Sequence, residues 1–377
     1  MINLSIFNFN KQVNNKRKLL IVLLVIFSLL GVFFVVGGKI KSIGRNFLYV
    51  AKNDKGYFLG DLYNYAEVSD FKEHIKLVQY KGEADPARGE IVMYGDSFFN
   101  NGFDSQPLPV ELAEKTHKQI TFYQPPVDGG GPIEYLKRFN YQKGPEKFFV
   151  WENVERKSVI RAKEFSQIAK NQDGVVKDKK VSMSVSIFDR IQRRMVQSKT
   201  ILFDRTNVEY FIKNNLIIKP FRVWLKEAAY NLFGEIDSMV ATYSKKHKML
   251  FFNEEVVFNN DRQKDLPENL NEVSDDIALI GKKLKTDYNL DMIYIIIPNK
   301  YSIYPDYIGN GPAYDDFIPE LQKRLSDRNV NFVDSYGMLK NYRLNHQGDP
   351  LYYRGDTHYT YVGKKLLLEE LIKKFSY

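Results

Sequence analysis

The stretch EIVMYGDSFF, residues 90–99, joins a short apolar run to a Gly-Asp-Ser turn. The run predicts a buried strand that ends where the glycine begins. Further apolar runs follow along the chain and alternate with segments typical of helices, which predicts an α/β domain with a mainly parallel sheet. The predicted strands are 90–94, 120–123, 147–151, 249–252, 292–297 and 330–333, and the predicted helices are 109–117, 133–140, 271–287, 316–325 and one starting near residue 360.

Ser97 follows the first of these strands after Gly95 and Asp96. Functional groups of open parallel sheets gather beyond the C-terminal ends of the strands, so Ser97 lies where a catalytic group is expected. A serine hydroxyl needs a neighbouring base to take its proton, and the base works best when a third group fixes its tautomer. We therefore predict a catalytic triad of Ser97, His358 and Asp356.

The spacing of the last two residues supports this prediction. They lie in YYRGDTHYTYVG, residues 352–363, just before the final amphipathic helix. In an extended segment, residues i and i+2 point to one side, so Asp356 and His358 are expected to face the cleft while Thr357 turns away. An alternative pairs Asp356 with Arg354 and leaves His358 as a packing residue at the start of the helix.

Residues 19–38 form an uncharged, mostly apolar segment of the length that crosses a bilayer, and we expect one transmembrane helix there. A cleaved signal peptide is the competing interpretation, but its apolar core is normally shorter and ends in a small-x-small site. The basic residues before the span favour a cytoplasmic N-terminus at residues 1–18. We thus expect a single-pass protein of the cytoplasmic or inner membrane, with its main domain on the extracytoplasmic side, periplasmic or at the cell surface.

Charge and composition exclude several functions. Residues 1–45 hold seven Lys and Arg and no acid, so only +2 of the formal net charge of +9 belongs to residues 46–377. Nucleic-acid binding is not expected, because its basic footprint should lie on the folded domain. The absence of cysteine excludes disulfides and thiolate catalysis. The other four histidines lack metal-ligand spacing, and we expect neither a metal nor a cofactor.

Two segments outside the strand pattern complete the predicted organisation. Residues 39–89 are interpreted as a lead-in with a mixed helical region around 63–79. Residues 90–377 are interpreted as the catalytic domain, in which about 157–245 carry many charges and few turn signals and are treated as an insertion.

Several motifs together resemble the SGNH (GDSL) hydrolase superfamily, and more closely its alginate-type O-acetyltransferase branch. These motifs are GDSFF after a strand, FFVWENVERK at 148–157, IIIPNKYSIYPDY at 295–307 and the late YYRGDTHYTYVGKK. The teichoic-acid D-alanine transfer proteins are similar in plan. Three features depart from the usual patterns. The acid and base are spaced D-x-H rather than the hydrolases' D-x-x-H, and the pair follows the serine, whereas in the alginate enzymes it tends to precede it. The segment WENVER also differs from the hydrolases' G-x-N-D.

The resemblance implies a three-layer α/β/α domain with Ser97 as the acylated nucleophile, His358 as the base and Asp356 as its orienter. It also implies an oxyanion hole made of the Ser97 backbone N–H, a glycine N–H and an Asn side chain. The glycine is predicted to be Gly129 or one of its neighbours, residues 130 and 131, and the amide is predicted to be Asn153. An alternative for the glycines is a plain turn.

The predicted function is therefore O-acyl transfer, with acetyl as the expected group, to a cell-surface or exported polysaccharide through an acyl-serine intermediate. By resemblance, a multi-span membrane-bound O-acyltransferase is the expected partner that delivers the acyl group. Two alternatives stay open. One is a carbohydrate esterase with the same triad, and the other is a non-catalytic polysaccharide-binding or assembly subunit.

Overall fold

A computed structural model of the protein describes residues 57–125, 130–170, 218–262, 266–309 and 313–375, and the isolated residues Val25 and Ser28. By contacts the chain divides into two units. The first comprises Met1–Asp54 and Lys179–Leu225, of which only the two isolated residues and 218–225 are described, all of them helical. The second comprises Lys55–Asp178 and Lys226–Tyr377, and everything below concerns this unit unless stated.

The strands of the described residues form three sheets, one of five strands, one of three and one of two. They are β1 (Tyr57–Phe58), β2 (Ile75–Gln79), β3 (Ile91–Tyr94), β4 (Asn101–Phe103), β5 (Ile120–Tyr123), β6 (Lys147–Val154), β7 (Val240–Ser244), β8 (Met249–Phe252), β9 (Leu290–Ile297) and β10 (Asn331–Val333).

The five-stranded sheet has the order β10-β9-β6-β3-β5, and all of its pairings are parallel. All four side chains of β3 are buried, as expected for a central strand covered on both faces. From β3 the chain moves outward to β5, then returns across β3 to β6 and continues outward to β9 and β10. The direction therefore reverses at β3 and β6, and the crevice at the C-terminal ends of these strands is the expected ligand site.

The α-helices of the second unit connect the strands and cover the sheet. They are Tyr63–Ala66, Ser97–Asn100, Leu108–Thr116, Pro132–Arg138, Glu155–Lys170, Ile218–Phe233 (which begins in the first unit), Asn253–Arg262, Leu266–Tyr288, Lys300–Ile303, Phe317–Asp327, Ser335–Asn345 and Tyr361–Phe375, and short 3-10 helices occupy Ser69–Phe71 and Pro305–Ile308.

Two groups of helices pack on the parallel sheet. Leu266–Tyr288 contacts both Glu155–Lys170 and Phe317–Asp327, whereas Tyr361–Phe375 contacts Leu108–Thr116 and Ser335–Asn345. Right-handed crossovers place connections on opposite faces when the direction of winding reverses, which accounts for the two groups. The structure is thus an α/β domain with a mainly parallel central sheet, as predicted.

The predicted strands match the observed strands closely. The predictions at 120–123 and 249–252 have the observed bounds, and 147–151 and 292–297 extend to Lys147–Val154 and Leu290–Ile297. Strand 249–252 does not join the central sheet, because it pairs antiparallel with β7.

Other segments differ from the expectation. The mixed helical region expected at 63–79 contains only short helical turns and ends in β2, which pairs antiparallel with β1 and β4. The helix Glu155–Lys170 overlaps the stretch treated as an insertion, yet its buried face packs in the main core through Ala162 and Phe165. Charged residues on its outer face hid this amphipathic pattern.

Among the described residues, no helix combines the length and the apolar composition that crossing a membrane requires. The span expected at 19–38 lies outside the described residues, apart from Val25 and Ser28.

Ile295 tests the assignment of the core. It is fully buried in the middle of β9, so Ile295→Ala should lower the free energy of unfolding by about 2–5 kcal/mol, and Ile295→Val by about 0.5–1.5 kcal/mol. Leu344→Ala is the control, because Leu344 is 64% exposed and its loss should change stability by at most about 0.5 kcal/mol. Denaturant titration of the purified protein measures all three, and equal losses at both sites would contradict the assignment.

Candidate active site

Ser97 lies at the C-terminal edge of the parallel sheet, where it begins the short helix Ser97–Asn100. Asp96 caps this helix, because its side chain accepts a hydrogen bond from the backbone N–H of Phe98 at 3.1 Å. As the first helical residue, Ser97 has a backbone N–H with no acceptor within the helix. Strand β3 therefore delivers both the hydroxyl and this N–H to the crevice where the winding of the sheet reverses.

The side chains of Ser97, His358 and Asp356 form one continuous hydrogen-bonded chain. Ser97 Oγ lies 2.7 Å from His358 Nε2, and His358 Nδ1 lies 2.6 Å from Asp356 Oδ1. The same carboxylate oxygen accepts the backbone N–H of His358 at 2.8 Å, which fixes the carboxylate against the ring. The structure thus brings the three predicted residues together, and Asp356 pairs with His358 rather than with Arg354.

The environment of His358 is largely apolar. Its ring packs against Phe98 and Phe103, with centroids 4.6 and 4.7 Å away, and only 8% of the residue is exposed. Burial alone would lower the pKa of His358, but the Asp356 carboxylate outweighs it and raises this pKa above its ordinary value. The ring therefore has an increased affinity for the proton that a serine nucleophile must lose.

Asp356 shows the complementary shift. Burial of this fully enclosed carboxyl raises its pKa, but the charge and hydrogen bonds of His358 outweigh burial and hold the pKa below its ordinary value. The carboxylate form is therefore maintained next to the imidazole, as the orienting group of a triad requires.

A closed turn presents the acid and the base. Tyr352 and Tyr359 form an antiparallel bridge, and the backbone N–H of Tyr353 donates to the carbonyl of His358 at 3.1 Å. The hydroxyl of Tyr352 donates to the carbonyl of Pro298 at 2.6 Å and so ties the turn to the end of β9. The turn is therefore anchored to the sheet as well as to the final helix.

The buried side chain of Lys300 also holds this turn in place. Its ammonium group is fully buried and donates to the carbonyls of Tyr353 at 2.7 Å and Leu250 at 2.9 Å. Burial lowers the pKa of Lys300, while nearby carboxylates, Glu255 first among them, oppose that shift. The sequence marked Lys300 only as part of the IIIPNK segment. That segment did not predict that the lysine would be buried.

Glu152 contacts the backbone of the turn that carries Ser97. It is fully buried near the end of β6, and its Oε2 accepts the backbone N–H of Asp96 at 2.7 Å. A Cβ on Gly95 would lie 2.5 Å from that oxygen, so the close approach requires glycine there. Burial, and then the charge of Asp96, raise the pKa of Glu152 well above its ordinary value. The contact of Glu152 with the serine turn was not predicted from the sequence.

Asn153 points away from the triad chain. Its Nδ2 donates to the hydroxyl of Tyr294 at 3.4 Å, and its Oδ1 accepts from Arg161 at 3.3 Å. Arg161 in turn lies 3.6 Å from the Asp96 carboxylate, so Asn153 reaches the serine turn through one intermediate side chain. Within the described residues no hydrogen bond joins Asn153 to Ser97, and its role as an oxyanion donor stays a prediction.

The predicted glycine donor is only partly described. Gly129 lies outside the described residues. Gly130 accepts a hydrogen bond from the hydroxyl of Tyr94 through its carbonyl, and Gly131 precedes the helix Pro132–Arg138. The contribution of these glycines to an oxyanion hole also stays a prediction.

One group of side chains in the described residues has the spacing of metal ligands. It consists of Asp61, Asp356 and His358, whose nearest ligand atoms lie within 4.8 Å of one another. Both ring nitrogens of His358 are already engaged, one by Ser97 and the other by Asp356. The donor set therefore suits a hydrogen-bonded proton relay better than a cation.

Residues 246–372 match the family model described as SGNH hydrolase-like domain, acetyltransferase AlgX. The match includes Asp356 and His358 and ends before the last residues of the final helix. It confirms the resemblance to the alginate O-acetyltransferase branch that the motifs indicated. No curated protein and no solved structure shows a significant match to the chain.

The fold and the match agree. The second unit is an α/β domain whose central sheet is mainly parallel, and residues 246–372 within it match the SGNH hydrolase-like model. The matched family indicates an acetyltransferase-type function and supports an enzyme that is an acyltransferase or an esterase.

The shifted pKa of His358 is directly measurable. Titration of its ring protons by NMR should give a midpoint above the ordinary histidine value of about 6.5. Asp356→Asn removes the opposing charge and should lower this midpoint by about one to three units. Asp70→Asn, which changes an exposed acid outside the predicted triad, is the control and should leave the His358 midpoint unchanged. A midpoint that is the same with and without the Asp356 charge would show that the two residues are not coupled.

Proposed function

We propose that this protein is an O-acyltransferase that carries an acetyl group on Ser97 and passes it to a hydroxyl of a polysaccharide. The observation that carries the proposal is the hydrogen-bonded chain from Ser97 through His358 to Asp356, at the switch point of an SGNH-like sheet. The match to an acetyltransferase family supports the choice of acyl group.

In the first half of the reaction, Ser97 Oγ attacks the carbonyl carbon of the acyl donor while His358 Nε2 takes the hydroxyl proton. The imidazolium is stabilised by the Asp356 carboxylate on its other nitrogen. The tetrahedral oxyanion accepts a hydrogen bond from the Ser97 backbone N–H. Collapse of this intermediate breaks the bond to the leaving group, which receives the proton from His358, and an acyl-serine remains.

The second half repeats the steps in reverse. A sugar hydroxyl approaches the acyl-serine, His358 takes its proton, and the new alkoxide attacks the acyl carbon. Ser97 leaves with the proton returned by His358, and the polysaccharide carries the new ester. Water in place of the sugar would give an esterase with the same residues, so the acceptor decides between the two activities.

We further propose that residues 19–38 anchor the protein in a membrane, with the site on the extracytoplasmic side. Cytoplasmic acetyl-CoA could not reach such a site directly, so a multi-span membrane-bound O-acyltransferase would deliver the acyl group. Fractionation and protease accessibility of the full chain in cells test this arrangement. Release of the full chain into the soluble fraction would contradict the anchor.

The acyl-serine is the step to test first. Purified protein mixed with an activated acetyl ester should gain one acetyl group on Ser97, seen by intact mass and peptide mapping. Ser97→Ala should abolish acylation at this site, because the accepting hydroxyl is gone, and His358→Ala should reduce its rate by about 10⁴-fold or more. The matched controls are Ser69→Ala and His346→Ala, since both residues are exposed and neither belongs to the predicted triad.

The same assay with acceptor sugars added distinguishes the candidate functions. With a mixture of cell-surface oligosaccharides, a transferase should form acetylated sugar faster than free acetate, whereas an esterase should release acetate only. If Ser97→Ala leaves polysaccharide acetylation in cells unchanged, the proposal is wrong and a non-catalytic subunit is favoured.

A further inference from the structure

The loop that carries the acid and the base is held by a residue from the lead-in, Asp61. Its backbone N–H donates to Oδ2 of Asp356 at 2.7 Å. In return, Asp61 Oδ1 accepts the backbone N–H of Thr357 at 2.8 Å, and Oδ2 accepts the Thr357 hydroxyl. Asp61 therefore contacts both the predicted orienting acid and the residue that separates it from the base.

The backbones of the two segments lie directly against each other. Gly60 has φ +100°, and a Cβ there would lie 2.2 Å from the carbonyl oxygen of Gly355. That same carbonyl accepts the backbone N–H of Tyr63 at 2.8 Å. Only glycine at position 60 permits this approach, so the geometry of Asp61 is set by the backbone on both sides.

Every oxygen of the two carboxylates has a donor. Asp356 offers Oδ1 to His358 and Oδ2 to Asp61. Asp61 Oδ1 also accepts its neighbour's N–H, that of Leu62, at 2.7 Å. Three donors thus meet the Asp61 carboxylate, an arrangement that suits its ionised form.

The Asp61 carboxylate lies close enough to the His358 imidazole to act on it electrostatically. One oxygen of Asp61, one of Asp356 and a ring nitrogen of His358 lie within 4.8 Å of one another. A negative charge at this distance favours the protonated ring, which forms when His358 takes the proton of Ser97.

Holding two carboxylates together in the interior is unfavourable. Burial, and then the charge of Asp356, raise the pKa of Asp61, while His358 and Thr357 oppose that shift. The buried ammonium group of Lys300 is the nearby cation that offsets both acids. The charged and titratable groups that act on this cluster are Asp61, Asp356, His358, Asp96, Glu73, Glu255 and Lys300.

We propose that Asp61 is a positioning residue of the active site, which holds the Asp356-Thr357-His358 turn in place and stabilises the protonated imidazole through its negative charge. The inference rests on the proposed function, because it concerns the same serine, base and acid. It predicts two separable effects, one of charge and one of geometry.

The charge effect is tested by Asp61→Asn, which keeps the shape and lets the amide accept from the Thr357 N–H and donate to its hydroxyl. In the full-length protein, the midpoint of the pH profile for acetylation of Ser97 should fall by about one unit or more, because one negative charge near His358 is lost. The rate on the high-pH plateau should change by no more than a few-fold.

The geometric effect is tested by Asp61→Ala. This variant loses the bonds to Thr357 as well as the charge, so it should show the same shift and also a plateau rate lower by about tenfold to a hundredfold. Asp70→Asn is the control, because Asp70 is an exposed lead-in acid and should leave both quantities unchanged. Thermal unfolding of each variant confirms that the comparison is made between folded proteins.

NMR titration of His358 in the same variants separates this inference from the proposed function, because it needs no turnover. A wild-type protein without Ser97-dependent acetylation would refute the proposed function, and a lower His358 midpoint in Asp61→Asn would still support the role of the Asp61 charge. A midpoint unchanged in Asp61→Asn, by NMR and in the pH profile, would overturn that role. A plateau rate unchanged in Asp61→Ala would overturn the positioning role.

Discussion

The hydrogen bond between Ser97 and His358 is the contact on which the candidate site depends, and it joins residues 261 positions apart in sequence. Neither partner is placed by local structure alone. Ser97 takes its position from β3, the strand buried between β5 and β6, and His358 takes its position from a turn closed by the Tyr352–Tyr359 bridge. A distance of 2.7 Å therefore requires the sheet order, the crossovers and the docking of the final turn to be correct together.

Buried titratable groups lie around this bond. His358 holds the pKa of Asp356 below its ordinary value, whereas burial raises the pKa of Glu152, whose carboxyl accepts the backbone N–H of Asp96. Lys300 donates its hydrogen bonds to backbone carbonyls, which carry no net charge. Its positive charge therefore offsets the acids around the turn. Each of these three groups also holds a backbone segment through hydrogen bonds.

The sequence predicted the strands and the triad partners for different physical reasons. Runs such as MIYIII are buried on both faces, so hydrophobicity alone marks β9 as a strand, and Asp356 and His358 share a local spacing. Asp61 carries no comparable signal, because its contact with Thr357 spans 296 positions and depends on β2 and the turns before it. The contact of Glu152 was not predicted because this residue lies in the part of β6 that is buried on both faces. Such a stretch has no alternating polar face that would single out one carboxyl.

In the proposed mechanism, the choice between transfer and hydrolysis depends on whether a sugar hydroxyl or water reaches Ser97. The rings of Phe98 and Phe103 pack against the His358 imidazole, whereas Ser97 itself is half-buried. Water and a sugar use the same base there, and an enzyme favours the sugar only by holding it at an effective concentration above that of the solvent. In the proposed mechanism, Ser97, His358 and Asp356 therefore account for acyl-serine formation alone, and a preference for transfer requires residues that bind the acceptor beside Ser97.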